Sequence, residues 1–137
     1  MQAGNKDCVF CKVVSGELSH HKVWESADFV AFLDINPVTP GHLLVVPKTH
    51  IDSVFDLPND LYVTLFETGK KLAGPLKQAT GCLKVGLSVV GLDVPHTHLH
   101  VMPINHAGDA DHANAKPASK EELAGMQAKI KAVLHLT

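Results

Sequence analysis

The sequence predicts an α+β fold in which one antiparallel sheet meanders through most of the chain. Five short segments are rich in apolar and β-branched residues, two longer segments have helical periodicity, and the connections are short. Short connections favour antiparallel neighbours. The 137 residues are 45% apolar and 19% charged, which matches one domain with its own core and excludes a disordered chain.

The strands are predicted from apolar segments that turn residues separate. They cover residues 22–25, 28–33, 42–46, 84–90 and 95–103. The first two form a hairpin around a polar turn. A loop with two prolines and a glycine, residues 34–41, separates the second strand from the third.

The first predicted helix begins near residue 61, with Asn59 or Asp60 as its cap, and ends at Gly81. One stripe of this helix carries Leu61, Leu65, Gly69, Leu72 and Leu76. Pro75 interrupts the pattern and predicts a kink. A Ser-x-x-Glu capping box opens a second helix, expected over residues 119–134.

Charge and cysteine content exclude several classes of protein. The net charge is −2, and all 12 basic residues are lysines, so charge alone recruits neither nucleic acid nor an anionic membrane. Three cysteines do not build a disulfide framework. Residues 1–7 are polar and no apolar run approaches the ~18 residues of a membrane span, so we expect a cytoplasmic protein.

The most informative stretch is His-Thr-His-Leu-His at residues 96–100. In a strand, His96, His98 and His100 share one face, and the residues between them pack on the core from the other. An edge strand with solvated histidines is the ordinary alternative. Three imidazoles at strict period two, flanked by two prolines, disfavour it.

This stretch resembles the signature of the histidine triad family, His-x-His-x-His followed by apolar residues. Residues 32–37 and 40–50 are similar to that family's nucleotide-binding half, so the resemblance extends from about Cys8 to Pro103. It points to the small prokaryotic branch, similar to histidine triad nucleotide-binding proteins. It implies a five-stranded antiparallel sheet with two helices in a single domain, with a core over about residues 8–103 and a C-terminal loop and helix over 104–137.

The resemblance implies cleavage at the α-phosphate of a nucleotide, with His98 as the nucleophile. A neutral imidazole is a good nucleophile near pH 7, and a nucleotidyl-histidine divides one hard displacement into two easier ones. One nitrogen of His98 must then be unprotonated, so the other should donate to a fixed acceptor. The resemblance places His100 and His42 at the same phosphate; a residue in a turn is the alternative for His42.

Asp34 is the residue that the resemblance assigns to the ribose hydroxyls. A carboxylate only accepts hydrogen bonds and suits a vicinal diol, although capping an Asx turn is an equally ordinary role. The nucleobase of the expected purine nucleotide would contact an apolar slot made of Phe10, Phe32, Ile35 and Leu44. Plain core packing explains those four residues equally well.

A Cys-x-x-Cys pair near the N-terminus is the second candidate site. Zinc-binding relatives combine such a pair with two histidines, so the resemblance implies a structural zinc site of Cys8, Cys11, His50 and His96. Two unliganded thiols or a redox pair are the alternatives. The redox alternative is disfavoured because no helix start follows Cys11 to lower a thiol pKa.

The chain departs from the family just before the triad. Relatives have Gly-Gln-[Ser/Thr]-Val, whereas residues 91–94 are Gly-Leu-Asp-Val. Asp93 therefore stands at the nucleotide site where a hydroxyl is usual, and it would orient a histidine, hold a protonated group or accept from a leaving amine.

The expected activity is hydrolysis of a purine nucleoside monophosphate ester or amidate, in the manner of a phosphoramidase. A dinucleoside polyphosphate hydrolase, a nucleotide sensor with little turnover and a metallohydrolase with catalytic zinc are the alternatives. The absence of arginine argues against a long polyphosphate. Family members pair as two-fold dimers, so a homodimer through the helix at residues 59–80 and a strand is expected.

Overall fold

The computed structural model describes residues 7–136 and has the predicted α+β architecture. Its elements are α1 (Val9–Ser15), β1 (Lys22–Glu25), β2 (Phe29–Leu33), β3 (Leu43–Pro47), α2 (Asn59–Thr80), β4 (Lys84–Ser88), β5 (Leu99–Ile104) and α3 (Lys120–Leu136). Five antiparallel strands form one sheet in the order β1-β2-β3-β5-β4. Within the described residues, no helix combines the length and apolarity that a membrane crossing requires. The polar residues 1–6 lie outside the described residues.

Helix α1 is a correction to the predicted count of two helices, because the described residues form three α-helices. The sulfur of Cys8 caps its first turn by accepting from the N–H of Cys11 at 3.5 Å. Gly16 ends it in the left-handed conformation, at φ 84°. Seven residues with one apolar face are too short for a periodicity signal. The argument against a redox pair, that no helix start follows Cys11, missed this helix, which begins at Val9 with Cys8 as its N-cap.

Helix α2 begins at Asn59 rather than near residue 61, and its N-cap is Pro58, which makes no side-chain cap. The helix continues through Pro75 to Thr80, and Gly81 ends it as predicted, at φ 71°. In α3 the expected capping box is present: the Ser119 hydroxyl accepts from the N–H of Glu122, and the Glu122 carboxylate accepts from the N–H of Ser119.

One face of the sheet packs against α2 and α3 and forms the main core. Buried side chains of this face include Ala31, Leu33, Leu43, Val45, Leu99 and Val101. Gly69 sets how closely α2 approaches: a Cβ there would lie 2.9 Å from a methyl carbon of Leu99. The predicted inward face of the triad segment is correct for Leu99 and Val101, and the close helix fixes the strand that carries His100.

The opposite face carries one cross-strand row that organises the site. Phe32 pairs with Leu44, Leu44 pairs with His100, and His100 pairs with Ser88, so four strands contribute one side chain each. Neighbouring strands are about 4.8 Å apart, which sets the spacing of side chains along the row. The end on β2 is apolar and the end on β4 is polar.

The triad does not lie in one strand, which corrects the predicted strand over residues 95–103. β5 begins at Leu99, and residues 96–98 form an irregular segment before it. The Thr97 N–H and hydroxyl both donate to the carbonyl of Ile51, at 2.7 Å each. This anchoring takes the place of strand pairing at these residues. The side chains of His96 and His98 can therefore point to different sites.

Candidate functional site

A pocket with a cavity volume of about 280 Å³ opens on the face of the sheet that carries the row. It is lined by Phe10, Phe32, Asp34, Ile35, Leu44, Asp93, His98 and His100, all named as site residues from the sequence. His42 stands directly behind His100. The structure also brings His20 and His112 to the pocket, which the sequence did not predict.

His98 has one nitrogen fixed by the backbone. Its Nδ1 lies 2.7 Å from the carbonyl oxygen of His96, which can only accept, so Nδ1 carries the proton. The lone pair is then on Nε2. The ring packs edge-on against Phe10, with centroids 5.0 Å apart. This is the protonation pattern that an imidazole nucleophile requires.

His42 and His100 form a buried relay whose proton positions follow from its first donor. The N–H of Val38 donates to His42 Nδ1 at 3.2 Å, so the His42 proton is on Nε2. That N–H donates to His100 Nδ1 at 2.9 Å, which leaves the His100 proton on its own Nε2. Burial lowers the pKa of His42 to about 4 and that of His100 to about 3, so both rings are neutral at pH 7.

Asp34 follows β2 and uses its two carboxylate oxygens differently. Oδ1 accepts from the N–H of Asn36 at 2.9 Å, so the Asx turn of the alternative interpretation is present. Oδ2 lies 3.8 Å from His42 Nε2, and the side chain lines the pocket. Burial raises the pKa of this carboxyl. Capping a turn and facing the pocket are therefore compatible.

The apolar end of the pocket is built from two elements. Phe10 on α1 meets Phe32 on β2 edge to face, with centroids 5.6 Å apart. Leu44 and Phe32 are almost fully buried, whereas Ile35 is 50% exposed at the rim. His20 packs on Phe32 at 5.1 Å. Aromatic faces beside an aliphatic wall form a slot suited to a flat heteroaromatic ring.

Charge in the pocket is unusual for a site that would hold an anion. Asp34 and Asp93 both line it, and Asp93 is exposed to solvent. No lysine is among the described residues that line this cavity. Imidazole N–H groups and the side-chain amide of Asn36 are therefore the hydrogen-bond donors that the lining side chains offer.

The four predicted metal ligands meet in a second cluster. His96 Nδ1 lies 3.3 Å from the sulfur of Cys8, 3.5 Å from that of Cys11 and 3.1 Å from His50 Nδ1. His50 Nδ1 is also 3.2 Å from the Cys11 sulfur, and all four ligand atoms lie within 4.8 Å of one another. Two sulfurs and two imidazole nitrogens at these separations match the tetrahedral donor set of zinc.

A backbone carbonyl also prepares His96 for this cluster. Its Nε2 lies 2.8 Å from the carbonyl oxygen of Pro47, so the proton is on Nε2 and the Nδ1 lone pair faces the sulfurs. Burial lowers the pKa of His96, which keeps the ring in the neutral form that binds metals.

Comparisons with known proteins find relatives over most of the chain. A model of the HIT domain matches residues 15–107. An uncharacterized HIT-like protein of Borreliella burgdorferi is 38% identical over 104 residues, which are 71% of this chain and 75% of that protein. The adenosine 5′-monophosphoramidase of Saccharomyces cerevisiae is 33% identical over 97 residues, which are 70% of this chain and 61% of the yeast protein.

Solved structures show the same fold over nearly the whole chain. The crystal structure of a zinc-bound histidine triad family protein from Mycobacterium smegmatis matches with a TM-score of 0.80 at 27% identity, covering 95% of this chain and 94% of that one. The matched domain region does not include Cys8 and Cys11, which precede it, or His112, which follows it.

Proposed function

The chain belongs to the HIT family, and from that premise we propose that it is a nucleotide hydrolase that cleaves a bond at the α-phosphate of a purine nucleoside monophosphate derivative. The observation that carries the proposal is the fixed tautomer of His98, whose Nδ1–H donates to the His96 carbonyl and whose Nε2 lone pair remains for attack. The phosphoramidase activity of the yeast relative supports the substrate class.

In the first step, His98 Nε2 attacks the α-phosphorus and the bond to the leaving group breaks. His100 Nε2–H donates to a phosphate oxygen as charge builds on it, and His42 holds His100 in the donating tautomer. Water then attacks the nucleotidyl-histidine, which releases the 5′-monophosphate and restores His98. Because the relay is neutral before substrate binds, its donors require no reorganisation.

The remainder of the nucleotide would extend along the cross-strand row. With the phosphate at His100, the base would occupy the slot of Phe10, Phe32, Ile35 and Leu44 toward β2. Asp34 Oδ2 would accept from ribose hydroxyls between these ends. Asp93 at the rim would contact the leaving group. An apolar base slot with a single ribose carboxylate supports a purine ribonucleotide.

We also propose that Cys8, Cys11, His50 and His96 hold a structural zinc ion. The donor set is closed, with four protein ligands and no position for substrate, so the ion would supply stability rather than chemistry. This disfavours the metallohydrolase. A zinc-bound relative supports the assignment. We further expect a cytoplasmic homodimer that associates through α2 and a strand.

A substrate panel tests the proposed function. Adenosine 5′-phosphoramidate should be hydrolysed to AMP faster than diadenosine polyphosphates, because the described residues that line the pocket include no lysine for a long anionic chain and the sequence has no arginine. Rapid quench with an α-³²P-labelled substrate should label the protein through an acid-labile phosphorus–nitrogen bond. Tight AMP binding without turnover of any member of the panel would instead identify a nucleotide sensor.

A further inference from the structure

We propose that His112 is a further catalytic residue, the proton donor to the leaving group, and that Ser88 positions it. The inference rests on the proposed function and deepens it. His112 lies beyond the segment matched by the HIT-domain model, so that match assigns it no role. It lines the same cavity as His98 and His100.

The backbone brings His112 to the phosphate end of the row. Two short 3₁₀ turns follow β5, and the second, His112–Asn114, is capped by Asp111, which accepts from the N–H of Ala113 at 2.9 Å. The ring then lies edge-on to His100, with centroids 4.4 Å apart. His98 contacts His100 as well, at 5.0 Å, so His100 links the nucleophile to the added imidazole.

Ser88 gives the ring a polar partner. Its Oγ lies 3.1 Å from His112 Nε2, and Ser88 is the cross-strand neighbour of His100 on β4. The serine hydroxyl accepts from Nε2–H in the charged and in the neutral ring, so the same contact holds His112 while Nδ1 gives up and regains its proton. A proton donor that must be recharged in each cycle needs such a partner.

The surroundings of His112 distinguish it from the two other imidazoles beside it. His42 and His100 lie beside it, and their proton positions are fixed by the Val38 relay. Asp34 and Asp93 are the acidic residues that line the same pocket as His112. His112 is only partly buried, so it can exchange protons with solvent.

A metal ion is the other role open to His42, His100 and His112, whose ligand atoms cluster within 4.8 Å. The backbone opposes it. Ligation through His42 Nε2 would require the proton on Nδ1, where the N–H of Val38 already donates at 3.2 Å. Two N–H groups would then face each other in a buried position.

The His98 Nε2 lone pair forms the bond to phosphorus while the bond from phosphorus to the leaving nitrogen or oxygen breaks. The leaving atom keeps that electron pair and takes a proton from protonated His112, which becomes neutral. In the second step His112 takes a proton from the attacking water, the phosphorus–His98 bond returns its electron pair to Nε2, and the enzyme is reset.

Leaving-group dependence tests the proposal. For His112→Gln we expect leaving-group release in a single turnover to fall about 100-fold or more with an N-alkyl phosphoramidate of AMP, because an amine cannot leave without a proton. With the 4-nitrophenyl ester of AMP, whose leaving group needs no proton, the loss should be less than about threefold. Ser88→Ala should show the same pattern at smaller size. His106→Gln, the same change at an exposed position in the same segment, is the matched control.

Each other outcome has a distinct meaning. A wild-type protein that turns over neither substrate overturns the proposed function and this inference with it. Active wild type with equal losses on both substrates, or with none, overturns the role of His112 alone. If His112→Gln does not fold, Ser88→Ala decides. A loss of rate relative to wild type that is the same on both substrates, or no loss on either, contradicts the proposal.

Discussion

The two histidine clusters differ although the same five-residue motif supplies both. In the closed cluster, His96 turns to the sulfurs of Cys8 and Cys11. In the open cluster, His98 and His100 turn to the pocket. Backbone carbonyls fix opposite protonation patterns: Pro47 holds the proton of His96 on Nε2, and the His96 carbonyl holds that of His98 on Nδ1. The motif alone therefore does not set the chemistry of each ring. The hydrogen-bond acceptor and the neighbours of each ring do.

Removing a ring from the open cluster should stop the chemistry and leave the closed cluster intact. His98→Ala should lower turnover of adenosine phosphoramidates about 1,000-fold, roughly 4 kcal/mol of barrier, and leave zinc content and AMP binding largely intact. Steady-state kinetics, elemental analysis and AMP titration measure these quantities. Retention of more than about a tenth of wild-type kcat would contradict the nucleophile assignment.

Removing a ligand from the closed cluster should do the reverse. We expect about one zinc ion per chain in the wild type and almost none in Cys11→Ser, with a melting temperature lower by about 10 °C, since a structural metal contributes directly to folding. Cys82→Ala, a change at the buried cysteine outside the cluster, should keep its zinc. A disulfide between Cys8 and Cys11 in zinc-replete protein would refute the site.

Asp34 lines the pocket beside the open cluster and also caps a turn, and mutation can separate these two roles. AMP should bind about ten- to a hundredfold more tightly than dAMP, since a charge-assisted hydrogen bond is worth roughly 1.5–3 kcal/mol. Asp34→Ala should shrink that ratio, and Asp28→Ala in the exposed β1–β2 turn should not. Equal affinities of the wild type for both nucleotides would exclude a ribose contact.

The smallest expected effect is the pH dependence of stability. The pKa of buried His42 is lowered to about 4, so below the unfolded value near 6.5 the unfolded chain binds more protons than the folded one. Stability present above pH 6.5 is therefore lost as the pH falls toward 4. His42 should account for about 2 kcal/mol between pH 7 and 5 in urea unfolding. His42→Gln should lose less over that interval, whereas His106→Gln should behave as wild type.

Much of the fold was predictable because its signals are local. The strand segments, the Gly81 stop and the Ser119–Glu122 capping box follow from apolar patterning and side-chain caps within a few residues. Helix α1 was missed because its first turn is capped by a cysteine, which has no strong capping preference. The triad strand was predicted too long because alternation also occurs in the irregular segment anchored to Ile51.

The pocket residues were predictable where a family motif carried them, and not elsewhere. His112 is 12 positions beyond His100 in a polar loop, and only the 3₁₀ turns bring its ring back to the sheet. His20 reaches Phe32 because it immediately precedes the first hairpin. Neither position has a periodicity or spacing that distinguishes it. The absence of arginine, together with ten histidines, was the available signal that more imidazoles serve the site.

The contact between Cys8 and His96 closes 88 residues of chain, and this separation has a consequence for folding. In the unfolded chain only the two cysteines, three positions apart, are near enough to hold an ion together. His50 follows β3 in the chain, whereas His96 is synthesised only after α2 and β4 as well. During synthesis the closed cluster therefore forms late, and binding of the proposed zinc ion would mark the docking of His96 onto the strands that precede it.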